Sequence, residues 1–161
     1  MKKLLSVLLS VCMLLLMAGC SEKEQAATYV LTHEEESLFS MTDTQVLHAR
    51  GDMVYEILET TSITFRDMDA EMLDTMVSYY DETADTMKVN APEGVEITSA
   101  YDSSNGIYTL TMNLYLEQAD LMQLAEGGYL MGLGDNPEEY TFISFKKTCE
   151  GLEASGYTKA E

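Results

Sequence analysis

Few residues in this 161-residue chain stand in patterns that could do chemistry. His33, followed by Glu34-Glu35-Glu36 and later by His48, has the residue types of a divalent-metal site. Neighbours on a strand point to opposite faces, so these side chains cannot converge and no metal site is expected. Asp102-Ser103-Ser104-Asn105-Gly106 has the composition of a calcium loop. It lacks the spacing of acidic ligands and the closing glutamate, and is expected to be a turn. The glycines at 127, 128, 132 and 134 are not followed by Gly-Lys-Ser/Thr, so they make no phosphate loop. No serine, cysteine or histidine comes with a base partner. Catalytic residues and cofactors are therefore not expected. Arg50-Gly51-Asp52 has the residues of an integrin-type adhesion tripeptide, but three-residue matches are common and Gly-Asp with a neighbouring arginine is expected to be turn chemistry.

The remaining reactive group is a thiol. Lys2 and Lys3 precede an apolar run from Leu4 to Met17, and Met17-Ala18-Gly19 leads into Cys20. A basic start, an apolar core and a small-residue exit describe a secretory leader over residues 1–19. The apolar run is shorter than the roughly 20 residues of a permanent span. A cysteine directly after Ala-Gly resembles the lipobox of bacterial lipoproteins, with Met17 where leucine is usual. The resemblance implies cleavage before Cys20 and diacylglycerol on its sulfur. Cys12 leaves with the leader, so Cys149 is the one thiol left free. Its spacing along a helix suggests a small core residue.

Charge narrows the partners. Of the 9 basic residues Lys2 and Lys3 are lost with the leader, leaving seven against 28 acidic ones and a mature net charge of −21. That field repels nucleic acid and anionic head groups. Membrane attachment must then come from acyl chains on Cys20, at about 0.8 kcal/mol per buried CH₂. If there is a protein partner, a cationic envelope or host protein is the natural candidate, and Asp74, Asp81 and Asp85 are the first charges to neutralise in testing for its face.

The elements read as one α+β domain over residues 28–161, behind a tether at 20–27. Alternation at Tyr29, Leu31 and His33 gives a first strand. Thr44 to Ala49 and Met53 to Phe65 form a hairpin about Arg50-Gly51-Asp52, with Tyr55, Ile57, Ile63 and Phe65 on one face. Asp67 is expected to cap a helix over 68–88, with Met68, Met72, Leu73, Met76, Tyr80, Ala84 and Met87 as its apolar stripe. Val95 to Tyr101 and Ile107 to Leu116 form a second hairpin, with Tyr108, Leu110, Met112, Leu114 and Leu116 as the inward row. Leu110 and Leu114 are expected to face that helix. Gln118 to Ala125 is a short helix before the glycine-rich loop. The last helix starts at Asn136 or Ser144. Ser144 is preferred, because Gly156-Tyr157 then closes it. The expected whole is an antiparallel sheet built from hairpins, packed by the central and C-terminal helices.

Three stretches carry a family resemblance: the lipobox, Gly94-Val95 through Tyr101 with its paired strand, and Ile143-Ser144-Phe145-Lys146-Lys147 through Leu152 to Gly156-Tyr157. Together they are similar to the YehR-like family of small bacterial lipoproteins. This implies a lipid-anchored α+β domain and assigns no catalytic residue or ligand. The expected function is that of an extracytoplasmic, non-catalytic binding or accessory lipoprotein of the cell envelope, in cells with one membrane or two. The alternative is an enzyme with a site built from scattered acids. Carboxylates gathered in a pocket would favour the enzyme, and a closed core with dispersed acids the accessory module. For the anchor, Cys20→Ser is expected to abolish incorporation of an alkyne fatty acid and to leave the leader uncleaved. Equal labelling of the variant would rule the anchor out.

Overall fold

The computed structural model describes residues 22–35, 38–130 and 141–160. The leader, Cys20, Glu36 and the loop 131–140 with its Asn136 start lie outside them. Strands β1 (Glu24–Glu35), β2 (Phe39–Arg50), β3 (Met53–Phe65), β4 (Val95–Asp102), β5 (Ile107–Tyr115), β6 (Ile143–Ser144) and β7 (Thr158–Lys159) form one sheet. Every pairing is antiparallel, in the order β4-β5-β3-β2-β1-β7. β6 pairs with Met53 and Val54, beyond the stretch of β3 that β5 occupies. Helices α1 (Ala70–Asn90), α2 (Leu121–Glu126) and α3 (Phe145–Ala154) complete the α+β fold. The expected class is the observed one.

Register explains where the core sits. Ala27, Leu47, Ile57, Leu114 and Val95 lie side by side across five strands, and all are buried. Two residues distant on each strand the same face recurs, as the pleat requires. This rung belongs to a large cluster that includes Leu124 of α2, Ile143, and Phe145, Cys149 and Leu152 of α3. A second, smaller cluster forms where Ile63, Phe65 and Tyr108 meet Leu73, Met76, Val77 and Tyr80 of α1. Leu110 packs against both clusters. Leu114 belongs to the first, with Met87 at the C-terminal end of α1. The expectation that both leucines face α1 therefore describes Leu110 better than Leu114.

Several expected boundaries move, each for a local reason. β1 begins at Glu24, so half of the expected tether is strand, and Ala27 is a core residue. Asp69 caps α1, accepting from Met72 N at 2.8 Å. Asp67 instead turns the chain at φ +49°. Met72 is 45% exposed, and Val77 lies on the inward stripe instead. Tyr55 leaves the inner face because the register shifts at His48/Ala49: Val54 is buried opposite Ala49, while Ile57 stays opposite Leu47. That extra residue is a β-bulge, which turns Tyr55 toward His48. α2 starts at Leu121 because Asp120 accepts from the N–H groups of Met122 and Gln123.

The end of the chain follows the preferred reading. Ser144 caps α3, with its side chain accepting from Lys147 N. Gly156 at φ +92° and Tyr157 close the helix, donating to Glu153 O at 3.1 Å and Leu152 O at 3.0 Å. These two bonds satisfy carbonyls that the helix itself leaves free. Leu114 is 1% exposed, so Leu114→Ala should lower stability by about 2–5 kcal/mol. Leu110→Ala, at a half-buried position, should cost less. Chemical denaturation midpoints check both. Equal midpoints for wild type and Leu114→Ala would mean the inner face is misassigned.

Candidate functional site

The inner face of the sheet is not uniformly apolar. One rung from Leu47 and Ile57, the register aligns Tyr29, Gln45, Glu59, Met112 and Ile97. The next aligns Leu31, Asp43, Thr61, Leu110 and Ser99. Four polar side chains on the two central strands thus point to the side where the period of two places core. Thr61 Oγ1 donates to Asp43 Oδ1 at 2.6 Å, and Gln45 Nε2 lies 3.4 Å from Glu59 Oε2. Burial, reinforced by the nearby charge of Asp43, pushes the Glu59 carboxyl up from its ordinary range.

Above this polar strip the packing leaves a cavity of about 490 Å³. Gln45, Ile57, Glu59, Met112 and Leu114 form its sheet side. Met87 of α1, Tyr129 and Leu130 after α2, Thr148, Gly151 and Leu152 of α3, and Ser155 at its C-cap form the other walls, with Tyr157 beside them. A Cβ on Gly127 would fall 2.9 Å from the Tyr129 ring, so glycine there lets the ring lie against the chain. The Tyr157 hydroxyl is also pushed up, chiefly by burial and then by Asp43 and Glu59, and a hydrogen bond with Gln45 offsets part of this. Tyr157, Gln45, Glu59 and Asp43 therefore form one electrostatic group.

The walls are fixed in place by groups already singled out in the sequence. The Asp52 carboxylate accepts from Ser144 Oγ at 2.8 Å and Lys146 N at 2.9 Å, and Phe145 N donates to Asp52 O at 2.7 Å. These donors hold the Asp52 carboxyl below its usual range, the Lys146 amide foremost. Arg50 pairs with Glu117 at 2.7 Å and Glu24 at 3.8 Å, and its guanidinium lies 4.5 Å from the centre of the Tyr55 ring. Both charged ends of Arg50-Gly51-Asp52 are thus engaged within the fold, and the tripeptide acts as a structural turn. Further along α3, the Tyr29 hydroxyl donates to Glu153 Oε1 at 3.1 Å.

The other groupings weighed in the sequence lie apart or serve the fold. His33 pairs with Met41 and His48 with Ala26, at opposite ends of β1 and β2 and on opposite faces. Among the described residues no three His, Cys, Asp or Glu side chains gather as a metal site would require. Asp102 accepts from Ser104 N, Asn105 N and Asn105 Nδ2, which completes a turn and holds its carboxyl low. Cys149 is a free, half-buried thiol packed against the core. Of the α1 acids, Asp81 receives the Tyr108 hydroxyl and Asp85 pairs with Lys88. Within the cavity, the Thr148 and Ser155 hydroxyls have no imidazole beside them, and Glu59 is the one carboxylate in its lining. Such an arrangement can hold a ligand through apolar contact and one anionic or hydrogen-bonding group.

No family model and no curated protein sequence matches this chain. Two solved structures share its fold. The NMR structure of Escherichia coli YehR aligns with a TM-score of 0.58 at 14% identity, over 88% of this chain and 94% of that one. The NMR structure of a protein from Streptococcus pneumoniae TIGR4 aligns with a TM-score of 0.52 at 14% identity, over 86% of each chain. The expected likeness to YehR-like proteins is therefore present as a likeness of fold.

Glu59 also makes a prediction about stability. Its folded-state carboxyl holds its proton to higher pH than the unfolded one. Its penalty is therefore absent below the ordinary glutamate range and complete once pH rises through the folded value. Glu59→Gln should raise the thermal midpoint at neutral pH and flatten the loss of stability between those limits. An unchanged profile would mean that the carboxylate is as well solvated as in the unfolded chain.

Proposed function

We propose that the protein is an extracytoplasmic lipoprotein, anchored through Cys20, whose folded domain binds a small molecule without transforming it. The cavity between the sheet's polar strip and the helices carries this reading. At about 490 Å³ it falls within the ~300–1,000 Å³ range of small-molecule sites. Its walls combine apolar side chains with a few polar groups on rigid strands, which is the usual composition of such sites. The leader and Cys20 supply the address, and the acidic surface leaves room for a cationic envelope protein as partner.

One observation favours the enzymatic alternative. Asp43 and Glu59 lie diagonally across β2 and β3, and a carboxyl with a raised pKa is the kind that serves acid–base chemistry. Against it, Asp43 is held by Thr61 and is not part of the cavity lining. A paired acid and base would both have to reach the substrate. Binding remains the better reading.

The test is occupancy. N-phenyl-1-naphthylamine, whose fluorescence rises in apolar surroundings, should bind the leaderless protein saturably and with one-to-one stoichiometry. Gly151→Phe, which places a ring in the cavity from the middle of α3, should remove most of that signal while leaving circular dichroism unchanged. A signal undiminished in a folded Gly151→Phe variant would place the probe elsewhere and end this reading.

A further inference from the structure

We infer that the cavity over Glu59 takes an organic cation, a compact apolar body carrying a protonated amine. This rests on the cavity being a ligand site and names the chemistry of its occupant. The lining is one-sided in charge: Glu59 is its ionisable acid, with Asp43 two residues from its cross-strand partner on β2 and no basic side chain among the lining residues. The ion pairs among the described residues engage Arg50 with Glu24 and Glu117, Lys88 with Asp85, and Lys146 with Glu150. None of them reaches Glu59 or Asp43. The hydrogen bond that Glu59 receives comes from the Gln45 amide, at a long 3.4 Å.

An anion facing an apolar hollow without a counter-charge is costly, and a carboxylate neighbour raises the cost. An ammonium group supplies what the site lacks, because it donates several hydrogen bonds and neutralises Glu59 at close range. Tyr129 and Tyr157 on the cavity wall add aromatic faces, which attract cations. Met87, Met112 and Leu152 supply adaptable apolar contact for the body of the ligand. An anionic ligand would meet the Glu59 carboxylate, with Asp43 close behind it, and no basic side chain in the lining to offset them. A neutral one would leave the charge on Glu59 unanswered.

The experiment compares three probes with one body: 1-naphthylmethylamine, 1-naphthylmethanol and 1-naphthoate, titrated into the leaderless protein at neutral pH and physiological salt. The amine should bind about tenfold or more tighter than the alcohol, as a charge-assisted hydrogen bond requires. The naphthoate should bind weakest. Glu59→Gln should bring the amine down to the level of the alcohol while alcohol binding persists, which shows the cavity intact. Asp74→Asn, an equal change of net charge on the surface of α1, should leave the preference unchanged. Equal binding of amine and alcohol by the wild type would overturn the cation inference and leave the cavity standing. So would a preference that survives Glu59→Gln or disappears with Asp74→Asn. Failure of all three probes to bind would overturn both.

Discussion

A single carboxylate at the tip of the first hairpin governs the seating of the last helix. Asp52 accepts from the hydroxyl of the α3 cap, Ser144, and from the Lys146 amide, while its own carbonyl receives the Phe145 amide. A negative charge at a helix N-terminus meets both free N–H groups and the positive end of the dipole. In the same turn Gly51 takes φ +58°, and Arg50 reaches Glu24 at the start of β1 and Glu117 just after β5. Three distant parts of the chain are thus tied at one corner. The position of α3, and with it Thr148, Gly151, Leu152 and the Tyr157 that follows, depends on that corner.

The interior owes its cavity to the division of the sheet's inner face into three bands. Apolar rungs lie on either side of the Gln45–Glu59 and Asp43–Thr61 pairs. α1 packs on one apolar band through Leu73, Met76, Val77 and Tyr80, and α2 and α3 pack on the other. Apolar helical faces have no favourable way to cover a band that must keep its carboxylates solvated or hydrogen-bonded. The helices therefore flank it, and space remains between them.

Much of this arrangement was legible in the sequence. Period-two alternation marked the hairpins, the spacing of apolar residues marked α1, and Ser144 with Gly156-Tyr157 marked α3. What failed was fine detail set by tertiary context. The bulge at Tyr55 reverses a face that alternation alone cannot see reversing, and the left-handed turn at Asp67 passes the cap to Asp69. The cavity residues left a visible trace: Glu59 and Thr61 occupy inward positions between Ile57 and Ile63 on a strand assigned to the core. Polar residues in that phase signal either an exposed patch or a site. Only the pairing of β2 with β3, which brings Asp43 and Gln45 alongside, separates the two. The walls contributed by Tyr129, Ser155 and Tyr157 left no such trace, because loop and cap residues carry no periodicity.

The early start of β1 also sets a height. Gly51 N donates to Lys23 O, and Glu24 is already in register with Arg50, so the sheet begins four peptide steps after Cys20. Those steps extend at most about 14 Å, less than twice the ~8 Å Debye length of physiological salt. A lipid on Cys20 would therefore act through a leash too short for the body to swing freely. On so short a tether the hairpin tip, which lies beside Lys23 and Glu24, would be the part of the sheet nearest the bilayer. Gln45 lies five residues up β2 from Arg50, a rise of about 17 Å. The polar floor of the cavity would then stand above the lipid tails, facing solutes carried in the water of the envelope.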